Sequence, residues 1–105
     1  MTISRGKMER APTPPSVYIA EDILAEYGLT QEALAKALGV SRRTISQLVN
    51  GHRMITAEMA LKLGKFTDTT PQFWLNLQMS FDLWVAESRS VEALNRIVPQ
   101  AKTAA

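Results

Sequence analysis

QEALAKALGVSRRTISQLVN, the stretch from Gln31 to Asn50, decides the architecture of this 105-residue chain. Two helical periods meet in it. Leu34, Ala35 and Leu38 recur at helical spacing after Thr30, and Ile45, Leu48 and Val49 do so after Ser41; Thr30 and Ser41 are both residues that cap helix starts. Two helices cross at a steep angle only where a small side chain lies at their contact, and Ala35 is such a residue. Gly39, four residues on, can take the positive φ that the turn between them needs. Leu34, Leu38, Val40, Ile45 and Leu48 fall at the offsets that seal the pair onto a third helix. Each residue alone is ordinary in a helical protein; the joint pattern is that of a helix-turn-helix.

With Ser41 as the cap, Arg42, Arg43, Thr44, Gln47 and Asn50 project from the face opposite Ile45 and Leu48. Such a face suits a DNA major groove, about 12 Å wide, because Arg pairs bidentately with guanine O6 and N7 and Gln with adenine N6 and N7. Arg42, Arg43 and Gln47 are therefore the expected base readers. Thr44 sits beside them, suited to a base or thymine methyl, while Ser41 and Asn50 are expected at phosphates. The free backbone N–H groups of a helix start attract an anion, which places Thr30 and Gln31 at a phosphate as well. Lys36, His52, Arg53 and the helix start at Thr56 are expected to flank the DNA backbone. Plain solvation is the competing reading for Lys36 and Arg53.

Charge supports this reading by its distribution rather than its sum. The formal net charge is only +2. Residues 1–29 carry three basic and four acidic groups, and residues 56–105 carry five of each. From Thr30 to Ile55, Lys36, Arg42, Arg43 and Arg53 face Glu32 alone, so net +3 lies in one quarter of the chain. Absence of cysteine excludes a disulfide framework or thiolate metal site, and the single His52 cannot form a histidine cluster, so no metal or cofactor is expected. No nucleophile–base pair or phosphate-cradling glycine loop can be assembled, which argues against an enzyme. With no signal-type segment and no long apolar run, a cytoplasmic protein without a membrane role is expected.

The flanking sequence predicts an all-α fold with five helices and no strand. Pro12, Pro14 and Pro15 mark residues 1–15 as a flexible arm, with the folded domain spanning 16–98 and a disordered tail 99–105. Ser16 is the expected cap of a first helix running to Tyr27, with Val17, Ile23, Leu24 and Tyr27 inward. A fourth helix is expected from about Thr56 to Lys65, with Met59, Ala60 and Leu63 inward, and Thr70-Pro71 opens a long fifth. That fifth helix carries two apolar stripes: Phe73, Leu77, Phe81 and Trp84 form one, and Leu75, Met79, Leu83 and Ala86 the other. Two stripes call for two partners, the domain's own core and a second subunit. Phe73, Trp74, Leu77, Met79, Phe81 and Trp84 are the expected interface set; complete burial within one chain is the alternative. Ser90, Val91, Leu94 and Ile97 suggest a short covering helix before Pro99.

TQEALAKALGVSRRTISQLVNG, residues 30–51, resembles the helix-turn-helix of the Cro/Xre-like phage-repressor superfamily. Three stretches carry a closer resemblance, to the HigA (VapI-like) antitoxins: VYIAEDILAEYG (17–28), LTQEALAKALGVSRRTISQLVNGHRMITAEMALKLGKF (29–66) and TTPQFWLNLQMSFDLW (69–84). The chain departs from the His-Pro-Gly-Glu-like opening usual in that family, carrying Pro15-Ser16-Val17-Tyr18 instead. The resemblance implies a lambda-repressor-like domain that binds a palindromic double-stranded operator as a homodimer, represses its own operon and neutralises a HigB-type toxin, a RelE-like mRNA-cleaving enzyme. A stand-alone phage-type regulator stays open, as does a protein-binding module without a DNA role.

Overall fold

Hydroxyl side chains start four of the helices. Thr30 Oγ1 accepts from the Ala33 N–H at 3.0 Å and Ser41 Oγ from Thr44 N–H at 3.1 Å. Thr56 Oγ1 accepts from Met59 N–H and Thr70 Oγ1 from Phe73 N–H, each at 3.2 Å. Each satisfies a first-turn donor that the helix itself cannot. The computed structural model, which describes residues 11–103, places α2 at Gln31–Leu38, α3 at Arg42–Val49, α4 at Ala57–Thr67 and α5 at Pro71–Asn95. The first helix opens as α1, Pro15–Val17, and continues as a wider π-helical segment, Tyr18–Ala25. No strand occurs among the described residues.

The crossing of α2 and α3 follows the sequence closely. Ala35 is 3% exposed at the contact. Gly39 takes φ 69°, and the Val40 N–H reaches back to the Ala35 carbonyl at 2.9 Å, ending α2 and turning the chain into α3. Leu34, Ile45 and Leu48 are fully or almost fully buried, with Ile19, Ile23, Ile55, Met59, Ala60, Leu63 and Trp74 completing the core. Each large apolar side chain so buried contributes about 1.5–3 kcal/mol. A second close approach joins α4 to α5. A Cβ on Gly64 would lie 3.1 Å from the Thr69 carbonyl oxygen and the Pro71 nitrogen, so only glycine lets the turn fold this tightly against α4.

Three expectations are corrected. Ser16 does not cap the first helix; Pro15 occupies the first helical position after an extended Pro14, as suits a ring with fixed φ and no N–H to lose. Val17 and Tyr27 are exposed; Ile23 faces inward as expected and Ile19 joins it, on a π-helical segment whose wider winding departs from the ordinary helical period. Tyr27 instead lies on the Phe66 ring, centroids 5.6 Å apart. No separate C-terminal helix forms: Ser90, Val91 and Leu94 lie within α5, and Ile97 is exposed beyond its end. No glycine or proline interrupts Gln72 to Val98, so nothing breaks that helix earlier. Of the expected arm, Pro15 is buried and residues 1–10 lie outside the described ones, as do residues 104–105 of the tail.

Candidate nucleic-acid interface

The face of α3 opposite Ile45 and Leu48 carries Arg42 and Arg43, both exposed, and Gln47, half-buried. These three, with Ser46, line an open hollow of about 410 Å³. Ser41 Oγ lies 2.9 Å from Thr44 Oγ1, so the hydroxyl pair is held at the lip of the helix start. Asn50 is exposed and its Nδ2 donates to Ser46 Oγ at 3.4 Å. The ion pair found among the described residues, Lys62 with Glu58 at 3.6 Å, lies on α4. Neither arginine of α3 is drawn into an ion pair there, so their donors face solvent.

The loop after α3 is tied down at both ends. The His52 N–H donates to the Gln47 carbonyl at 2.8 Å, and Arg53 Nε–H to Gln47 Oε1 at 2.9 Å. His52 and Arg53 are exposed beside α3. At the far end the Ile55 N–H donates to Gln78 Oε1 at 2.9 Å, and Gln78 Nε2 donates to Asp82 Oδ1 at 2.9 Å. Gln78 thus fastens the loop to α5. Sequence reading missed it, and Ser46 too; an amide between the apolar positions Leu77 and Met79 was the available signal. Gln78→Ala is expected to lower stability by about 1–2 kcal/mol, since the part-buried Ile55 N–H loses its acceptor. Chemical denaturation of both proteins measures it.

The expected phosphate contacts are spread over more than one element. Thr30 is exposed with its hydroxyl used in capping, Gln31 is half-buried at the start of α2, and Lys36 is exposed on the last turn of α2. First-turn N–H groups of α2 remain without intrahelical partners, the property an anion uses.

On α5 the expected interface set divides. Met79 is exposed, Phe73 stands edge-on to Tyr18 at 5.8 Å, and Leu77, Phe81 and Trp84 are half-buried. Trp74 is a correction: at 2% exposure, with Nε1 donating to Thr69 Oγ1 at 3.0 Å, it belongs to the core of the single chain and has no surface to offer a second subunit. The open apolar hollow on this helix, about 490 Å³, is lined by Leu75, Met79, Leu83 and Ala86, the second stripe of the sequence, together with Gln78 and Asp82. Among the described residues there is no group of three or more potential metal ligands, and no helix is long and apolar enough to cross a membrane.

Comparison with known proteins bears on this geometry. The family model described as Helix-turn-helix matches residues 19–74, more than half of the chain. The chain is 39% identical over 93 residues to antitoxin HigA-1 of Vibrio cholerae, covering 89% of this chain and 88% of that protein. Among solved structures, the antitoxin HigA of Pseudomonas aeruginosa with the higBA promoter superposes with a TM-score of 0.78 at 34% identity, covering 84% of this chain and 96% of that one. The antitoxin GraA in complex with its operator gives a TM-score of 0.80 at 36% identity, covering 90% and 95%.

Proposed function

Because this chain belongs to the helix-turn-helix family, among relatives that include the HigA antitoxins, we propose that it is an operator-binding antitoxin that represses its own operon. The observation that carries the reading is the outward face of α3. Arg42, Arg43 and Gln47 stand there in one cluster, on a helix held from behind by Ile45 and Leu48. Rigid presentation of bidentate donors at a helix face is what direct reading of base edges requires. Two solved relatives, described as bound to promoter or operator DNA, support it. Titrating the protein against the DNA upstream of its own gene at several salt concentrations tests it. Affinity should exceed that for random DNA and fall steeply with salt, as counterion release demands. Equal affinity for both sequences contradicts it.

The active species is a homodimer on a palindromic operator, its two α3 helices about 34 Å apart. Trp74 is the one buried residue of α5 among the described residues, and Met79 and Leu83 beyond it are exposed. The radius of gyration, 17.7 Å, exceeds the roughly 13 Å of a compact domain of about this length. The stripe of Leu75, Met79, Leu83 and Ala86 is the apolar face a second copy would cover. Met79→Glu with Leu83→Glu is expected to give a monomer by light scattering. Operator affinity should drop about 100-fold or more, since the second half-site no longer binds as a linked one.

The toxin partner rests on family membership: a HigB-type, RelE-like mRNA-cleaving protein, neutralised by direct binding. If the neighbouring gene encodes it, expression of that gene alone arrests growth and co-expression of this chain restores it. Continued arrest would refute the pairing.

A further inference from the structure

We infer that Arg53 is a positioning residue that sets the base preference of Gln47, an inference that rests on α3 being the DNA-reading helix. Gly51 takes φ 73°, and two backbone bonds close the end of α3: Gly51 N–H to the Leu48 carbonyl at 3.2 Å and His52 N–H to the Gln47 carbonyl at 2.8 Å. This left-handed turn satisfies the last carbonyls and folds the chain back over the turn it has just left. Arg53 is thereby returned to Gln47, six positions earlier, where its Nε–H donates to Oε1 at 2.9 Å.

The chemistry of the pair fixes an orientation that an isolated glutamine does not have. A side-chain amide fits its site in two ways, oxygen and nitrogen exchanged. A guanidinium has donors and no acceptor, so it selects the orientation with Oε1 toward the loop. That oxygen has two acceptor sites, and Arg53 occupies one. The other, together with the Nε2 amino group, forms an acceptor–donor edge matching adenine N6 and N7. Turned over, the same amide offers the two groups in reverse order and loses that register. Gln47 is also a rotamer-rich side chain, and the bond from Arg53 orders it before DNA arrives. Arg53 therefore does more than attract phosphate: it decides which base pair Gln47 accepts.

The two roles separate in a selection of preferred sites from a pool of random-sequence duplexes, read for the wild type, Gln47→Ala, Arg53→Lys and Arg53→Met. Arg53 is exposed, so both of its variants should fold, which circular dichroism checks. Gln47→Ala identifies the base pair that Gln47 reads. Arg53→Met should reduce discrimination for adenine at that pair by about five- to tenfold, while other positions keep their preferences. Arg53→Lys keeps a donor-only group and should hold discrimination within about twofold of wild type. Overall weakening by one common factor, with the preference at that pair intact, would make Arg53 a phosphate contact and overturn the inference. So would a Gln47→Ala variant with unchanged preferences throughout. A wild type that selects no sequence at all would instead bring down the reading of α3 itself.

Discussion

Replacing Arg42, Arg43 and Gln47 together by alanine is expected to bring the ratio of operator to random-DNA affinity down to about one, from the roughly thousandfold or more of specific complexes. Each bidentate base contact discriminates by about 1–3 kcal/mol, and a dimer would lose the contacts of two half-sites at once. The fold should survive. The three side chains are exposed or half-buried on the solvent face of α3, and alanine is a better helix former than any of them. A melting temperature close to wild type would show that the lost preference is a lost reading surface; stability should shift by no more than about 0.5 kcal/mol. Competition binding with labelled operator and unlabelled random duplex measures the ratio. An undiminished ratio would mean that sequence is read elsewhere.

Trp74→Ala is expected to have the largest effect on stability, a loss of about 3–5 kcal/mol. Trp74 is 2% exposed where α5 meets the core, stacks edge-on with Phe73 at 5.3 Å, and donates to Thr69 in the turn that leads into α5. Truncation therefore opens a cavity and also leaves the α4–α5 turn without its tether. At about 4–8 °C per kcal/mol for a domain of this size, the melting temperature should fall by more than about 12 °C. The same experiment separates the core position from the interface role expected from sequence. Loss of an interface tryptophan would raise the dimer dissociation constant, whereas loss of a core tryptophan lowers the intrinsic stability of the chain at every concentration.

What was legible in the sequence is what local chemistry determines. Thr30, Ser41, Thr56 and Thr70 announce helix starts because their short hydroxyls reach a first-turn N–H, and all four do so. Ala35 and Gly39 announce the crossing and the turn because few other residues fit a tight contact or a left-handed φ. The outward face of α3 followed directly, since it lies opposite a buried face that the spacing defines. What escaped depends on contacts between distant segments. Ile19 faces inward on a π-helical segment whose winding no ordinary period anticipates. Trp74 and Phe73 are neighbours on α5, and only the position of the core decides which ring is buried. Gln78 acts on a backbone group 23 positions away, and Arg53 reaches Gln47 only after Gly51 has reversed the chain.

The most direct measurement is chemical protection of guanine N7 in the operator duplex, because that atom is open to reagent only in the major groove. With α3 lying in that groove, the wild-type protein should shield guanines in two clusters about one helical turn apart. The variant lacking Arg42, Arg43 and Gln47 should leave them reactive. Guanine N7 atoms that react equally with and without bound wild-type protein would place the protein elsewhere on the duplex and contradict the assignment of α3 as the reading helix.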